Sequence, residues 1–191
     1  MSASAATWPL PEQRPASLSI GLWVFIGVAS ALFALFLAAY AMRMDQASDW
    51  TRLAMPWQLW LSTALLVAGS ALLEGAARRG DAALRVGAGL CALAFVASQL
   101  WAWQALAEAR VTLAGNPAAS FFYLLTAMHG LHVAGGLVAW LRVWQRPGPE
   151  RAAKVALLAR YWHFLLLLWL VLFAALGWLT PEIVAFICGR G

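Results

Sequence analysis

The segment Ser120–Trp140 constrains this chain more than any other, because it is long and mostly apolar and yet carries His129 and His132. A helix of that length crosses the hydrocarbon core of a bilayer, which is roughly 30 Å thick, at about 1.5 Å per residue. Polar side chains at that depth are costly and are usually paired or functional. The third and last histidine, His163, lies in the next apolar segment. All three histidines therefore belong to two neighbouring membrane segments.

The composition supports a membrane protein and argues against other classes. Hydrophobic residues make up 63% of the chain and charged residues only 11%, whereas a soluble domain carries about 25% charged residues. The net charge of +5 is spread over short loops without a dense basic patch, which argues against a nucleic-acid partner. Cys91 and Cys188 are too few for a disulfide framework or a zinc site.

Five continuous apolar runs predict an all-α bundle of five transmembrane helices. The expected spans are Ile20–Met42, Gln58–Ala77, Leu84–Leu106, Ser120–Trp140 and Val155–Leu179. Pro117 before the fourth span and Pro181 after the fifth fit helix boundaries. The runs do not alternate with a period of two residues, which argues against a membrane barrel.

These boundaries predict one membrane domain, over residues 20–180. Residues 1–19 form a polar N-terminal lead-in, and residues 181–191 form a C-terminal tail. Nine Lys and Arg residues lie on the side of the membrane that holds the N-terminus, and four lie on the opposite side. Because positive charge marks the cytoplasmic side, we expect the N-terminus inside and the C-terminus outside.

The histidine spacing leaves two interpretations open. His132 lies about 15 Å along its helix from Arg142, and His163 lies about 13 Å from Lys154. If the fourth and fifth helices are antiparallel neighbours, His129, His132 and His163 fall at similar depth and suggest a metal site. Because no Cys, Asp or Glu lies nearby in the sequence, we favour hydrogen bonds between these two helices, or to lipid and water.

The other polar residues in the spans have simpler interpretations. Glu74 and Arg78 are four residues apart in the favourable order, which predicts an ion pair at the inner membrane surface. Gln99 in the third span is uncharged, and we expect it to make a hydrogen bond between helices.

Several segments resemble subunit III of the haem–copper terminal oxidases. The motifs HGLH in FFYLLTAMHGLHVAGG and YWHF in YWHFLLLLWLVLF occur in order in consecutive spans. The segments GLWVFIGVASALFALFLAAY, LSTALLVAGSALLEGA and SQLWAWQAL are similar to the three preceding helices of that family. The resemblance runs from Leu22 to Trp178, and it implies the short five-helix form that lacks the first two helices of full-length members.

The resemblance implies a non-catalytic subunit of a respiratory oxidase that reduces oxygen to water. Its partners are the catalytic subunit I, subunit II and membrane phospholipids, and the haem and copper lie in those partner subunits. This chain is expected to hold no catalytic residue, cofactor or metal. The family-motif polar residues, expected to serve helix packing or contacts to lipid and water, are His129, His132, His163, Tyr161, Trp162, Glu74, Arg78 and Gln99.

The sequence departs from the family pattern at two positions. Ala29 and Leu166 stand where the family often has carboxylates inside the membrane, so we expect a scaffold and lipid holder, not a proton carrier. Two other functions remain open. One is an accessory membrane protein of a nitric oxide reductase system, which shares these motifs. The other is a stand-alone small transporter or metal-binding membrane protein that uses the histidines.

Overall fold

The computed structural model describes residues 14–46, 50–51, 53–111, 116–145, 148–187 and 189. Within these residues the chain is all-helical, without strands. Its helices are α1 (Arg14–Gln46), α2 (Gln58–Arg79), α3 (Ala82–Glu108), α4 (Pro117–Gln145), α5 (Arg151–Trp178) and the short α6 (Pro181–Ile187). The first five are long and apolar enough to cross a membrane, which confirms the predicted all-α fold with five candidate spans.

Local chemistry explains where these helices begin and end. Proline is tolerated in the first turn of a helix, where its missing N–H leaves no bond unmade, and α1, α4 and α6 each have one there. Helix α1 begins at Arg14, so it extends into the expected polar lead-in. Helix α2 ends at Arg79 and is capped by Gly80, whose positive φ of 69° suits glycine. Asp81 then caps α3 by accepting a hydrogen bond from the backbone N–H of Ala83 at 2.7 Å.

The bundle is a ring of four helices, α2, α3, α4 and α5, and α1 lies outside this ring. Helix α2 packs against α3 and α5, and α4 closes the ring between α3 and α5. Neighbours in the ring are antiparallel. Along α2 and α5, for example, Thr63 bonds to Trp169, and Ser70 further along α2 bonds to the earlier His163 of α5. Helix α1 packs only on α4, α5 and α6 within the described residues. Most of its surface is therefore available for lipid or for a partner.

Large aromatic side chains fill the centre of the ring, and glycines make room for them. Trp162 on α5 is 1% exposed and lies against Gly69 of α2 and Gly136 of α4. A Cβ atom at Gly136 would lie 2.5 Å from Cζ3 of Trp162. A Cβ atom at Gly89 of α3 would likewise lie 2.5 Å from Cζ2 of Trp140. Small residues thus let the helices approach closely, as is common in membrane bundles.

Candidate functional site

His163 lies at the surface between α5 and α2, in a chain of hydrogen-bonded side chains. Its Nδ1 is 2.6 Å from Oγ of Ser70, and its Nε2 is 3.2 Å from Oε2 of Glu74. Because a carboxylate oxygen only accepts hydrogen bonds, Nε2 donates to Glu74, and Nδ1 forms the hydrogen bond with the Ser70 hydroxyl. The other oxygen of Glu74 accepts from Nε of Arg78 at 2.7 Å. This last contact is the ion pair predicted from the sequence.

His132 points away from His163. Its Nδ1 donates to the carbonyl of Met128 at 2.7 Å, within its own helix. Its ring packs against Phe25 and Phe33 of α1, with centroids 5.6 and 5.4 Å away. His132 therefore faces α1, where it contributes to the seam between α1 and α4.

His129 occupies a third environment, at the centre of the ring. His129 is completely buried. The centroid of its imidazole lies 5.7 Å from the side-chain ring centroid of Phe95 and 5.2 Å from that of Trp169. Neither of its ring nitrogens has a hydrogen-bond partner among the described residues. Trp169 itself is held in place, since its indole N–H donates to the hydroxyl of Thr63 at 2.9 Å.

Within the described residues, no histidine makes a hydrogen bond between α4 and α5, although the ring of His129 on α4 packs against Trp169 on α5. Tyr161 supplies the link instead, because its hydroxyl donates to the backbone carbonyl of His132 at 2.8 Å. Helix α5 presents His163 to α2, whereas α4 presents His132 to α1. The described residues contain no group of three His, Cys, Asp or Glu side chains that could hold a metal ion.

Gln99 also differs from expectation. It is 6% exposed, and neither its Oε1 nor its Nε2 has a hydrogen-bond partner among the described residues. The bond between α2 and α3 is made one residue earlier: Oγ of Ser98 lies 2.9 Å from Oγ of Ser62 and donates to the carbonyl of Gln58 at 3.0 Å. Successive helical residues point about 100° apart. Ser98 therefore faces α2, while Gln99 is turned toward α4.

A cleft opens at the basic end of the bundle, between α1, α4 and α5. It has a volume of about 610 Å³, and its walls are mostly apolar, including Leu22, Phe25 and Leu158. Two cationic side chains, Arg142 and Lys154, line it as well. Lys154 also pairs with Glu150 at 2.8 Å. Sequence reasoning missed this cleft, because its three walls come from distant parts of the chain.

Curated relatives cover most of this chain. Proteins named probable cytochrome c oxidase subunit 3 from Mycobacterium tuberculosis and Nocardia farcinica are each 31% identical to it, over 85% of this chain and 88% of the relative. The chain belongs to the cytochrome c oxidase subunit 3 family. The cytochrome c oxidase subunit 3 of Thermostichus vulcanus is 29% identical, over 88% of this chain and 90% of the relative. No protein-family model matches the chain.

Membership of this family confirms the resemblance that was read from the HGLH and YWHF motifs. It supports a membrane oxidase subunit and implies a complex with other oxidase subunits. Together with the five apolar helices, it indicates a multi-pass membrane protein. The two motifs stand on α4 and α5, where they place His129 at the centre of the ring and Trp162 against the glycines of its neighbours.

Proposed function

We propose that this chain is a non-catalytic subunit of a respiratory haem–copper oxidase that reduces oxygen to water. The observation that carries the proposal is the 31% identity to curated cytochrome c oxidase subunit 3 proteins over 85% of the chain. Its partners are the catalytic subunit I and subunit II, which hold the haem and copper, and its location is the inner membrane of a bacterium. It stabilises the catalytic subunit and holds phospholipid.

The environments of the polar residues support a scaffold. The three histidines are engaged separately, in the α2–α5 surface, the α1–α4 seam and the centre of the ring. The two positions where the family often has carboxylates are Ala29, which is buried in the bundle, and Leu166, which is half-buried. Neither side chain can carry a proton. The histidines and their neighbours thus serve packing and local hydrogen bonding, and this chain carries no cofactor or metal.

Purification from native membranes tests the oxidase assignment. With an affinity tag on this chain and a mild detergent, we expect the eluate to contain haem-bearing subunits, recognised by their absorbance and by mass spectrometry. The control is the same tag on an unrelated multi-pass protein of the same membrane. An eluate that contains only this chain would favour a stand-alone transporter, and one that contains a nitric oxide reductase would favour the accessory protein.

The orientation of the bundle is a further part of the proposal. Arg78, Arg79, Arg142 and Lys154 lie at one end of the helices, close to the start of α1. Because this end holds most of the positive charge, we expect it to face the cytoplasm. A phosphatase fused after Gly191 should be active in the periplasm, and the same reporter inserted at Gly80 should be inactive. The opposite pattern would contradict the charge argument.

The cleft at the basic end fits an anionic phospholipid. Acyl chains favour its apolar walls, and the side chains of Arg142 and Lys154 suit a phosphate group at the membrane surface. Long cationic side chains near helix ends reach the headgroup region in this manner. We therefore place the lipid that this subunit holds between α1, α4 and α5.

A further inference from the structure

A second groove runs along the outside of the bundle, between α3 and α4. Its volume is about 330 Å³. Its walls include Val96, Leu100 and Trp103 on α3, and Ala127, Gly130 and Leu131 on α4. Leu100 is 52% exposed and Leu131 is 66% exposed. The groove lies along the second half of α3 and the first half of α4.

Gln99 lines this groove, and its side-chain amide is buried without hydrogen-bond partners among the described residues. It is more than nine-tenths buried, and both atoms of its amide that form hydrogen bonds lack partners among the described residues. The other polar group in the wall, the hydroxyl of Thr126, accepts from the indole of Trp103 at 3.1 Å and donates to the carbonyl of Phe122 at 2.7 Å. An amide without partners in an apolar medium is unfavourable. An acyl chain cannot remove that cost.

The shape of the groove fits another helix. Ala127 and Gly130 form a small-residue surface, and a Cβ atom at Gly130 would meet nothing within 4 Å. Such surfaces let the backbone of a second helix approach closely. Exposed leucines on either side, Leu100 and Leu131, form ridges that pack into the grooves of a facing helix.

We propose that this groove receives a transmembrane helix of a partner oxidase subunit, which presents an amide or hydroxyl side chain to Gln99. The proposal rests on the proposed function, since it names the surface by which this subunit joins the complex. A hydrogen bond at this depth gives the interface its register, while the small residues and leucines give it area.

Site-specific photocrosslinking in the intact complex tests the position of the partner. A photoreactive amino acid replaces Leu131 in the groove or, as a matched control, Leu167 on α5, which is 63% exposed and also near mid-helix. After irradiation of native membranes, the complex is purified through a tag on this chain. We expect the Leu131 variant to form an adduct with a haem-bearing complex at least fivefold more abundantly than the Leu167 variant.

The substitution Gln99→Leu tests the hydrogen bond. It keeps the approximate size of the side chain and removes the amide, and Gln104→Leu, at an exposed position of the same helix, is the control. We expect Gln99→Leu to leave the amount of chain in the membrane unchanged. The fraction that stays in the complex during detergent washing should fall about three- to tenfold, the effect of one hydrogen bond between membrane helices.

The outcomes separate this inference from the proposed function. An eluate without haem would overturn the oxidase assignment and, with it, the partner named here. A haem-bearing eluate in which Leu131 forms no more protein adduct than Leu167, or reacts with lipid alone, would overturn the groove and leave the assignment intact. A Gln99→Leu chain that is retained as well as Gln104→Leu would also overturn the proposed contact.

Discussion

Replacing Gly136 with alanine should loosen the contact between α4 and α5 and lower the stability of the chain by about 1–3 kcal/mol. The new Cβ atom would lie 2.5 Å from Cζ3 and 3.0 Å from Cη2 of Trp162, and 3.1 Å from Cε1 of Tyr161. Trp162 is 1% exposed, so its ring is enclosed by the helices and cannot turn outward to avoid the clash. In detergent, the Gly136→Ala variant should aggregate at a lower temperature than the unmodified chain. Size-exclusion chromatography after heating measures the fraction that has not aggregated.

The adjacent glycine provides the control for this prediction. A Cβ atom at Gly135 meets nothing within 4 Å, so Gly135→Ala should not lower stability. The change Trp162→Phe removes the ring atoms that clash. The loss of stability in the double variant Gly136→Ala with Trp162→Phe should therefore be smaller than the sum of the losses in the two single variants. Equal stability of the Gly136→Ala and Gly135→Ala variants would contradict the packing described here.

Removing the two cations of the cleft should release anionic phospholipid from the purified complex. Each Lys or Arg near the membrane surface contributes about 1 kcal/mol to the binding of anionic lipid. Because Lys154 also pairs with Glu150, we expect Arg142→Gln with Lys154→Gln to weaken binding about five- to thirtyfold. Lipid mass spectrometry of the purified complex measures the phospholipid that remains per complex.

The matched control uses an arginine at the same end of the bundle but outside the cleft. Arg79 lies at the end of α2, and its side chain is exposed. Arg79→Gln should leave the bound phospholipid unchanged. If Arg79→Gln releases as much lipid as the double variant, the effect comes from the general charge of the surface and the cleft is not the binding site.

The sequence was sufficient to predict the helices because the bilayer imposes one simple requirement. A segment of about twenty apolar residues must be helical to satisfy its own backbone. Pro117, Pro181 and the turn at Gly80 then fix the ends. Local pairs were predictable for the same reason: Glu74 and Arg78 are one helical turn apart, so their ion pair needs no knowledge of other helices.

The directions of the polar side chains were not predictable from the sequence. Spacing gives the depth of His132 and His163, but not which neighbour each one faces. That depends on the order of helices in the ring and on α1, which packs outside α4 and α5. Gln99 illustrates the same limit, since its neighbour Ser98 makes the hydrogen bond to α2 while Gln99 lines a groove.

Depletion of this chain from the purified oxidase tests the scaffold role most directly. Oxygen consumption and proton release are measured in complexes with and without the chain, from the first turnovers until activity is lost. If the chain stabilises the catalytic subunit and holds lipid, the initial rates should be nearly equal, and the depleted complex should lose activity after far fewer turnovers. An immediate loss of proton release on depletion, reproduced by replacing His129, His132 or His163 alone, would contradict the scaffold role.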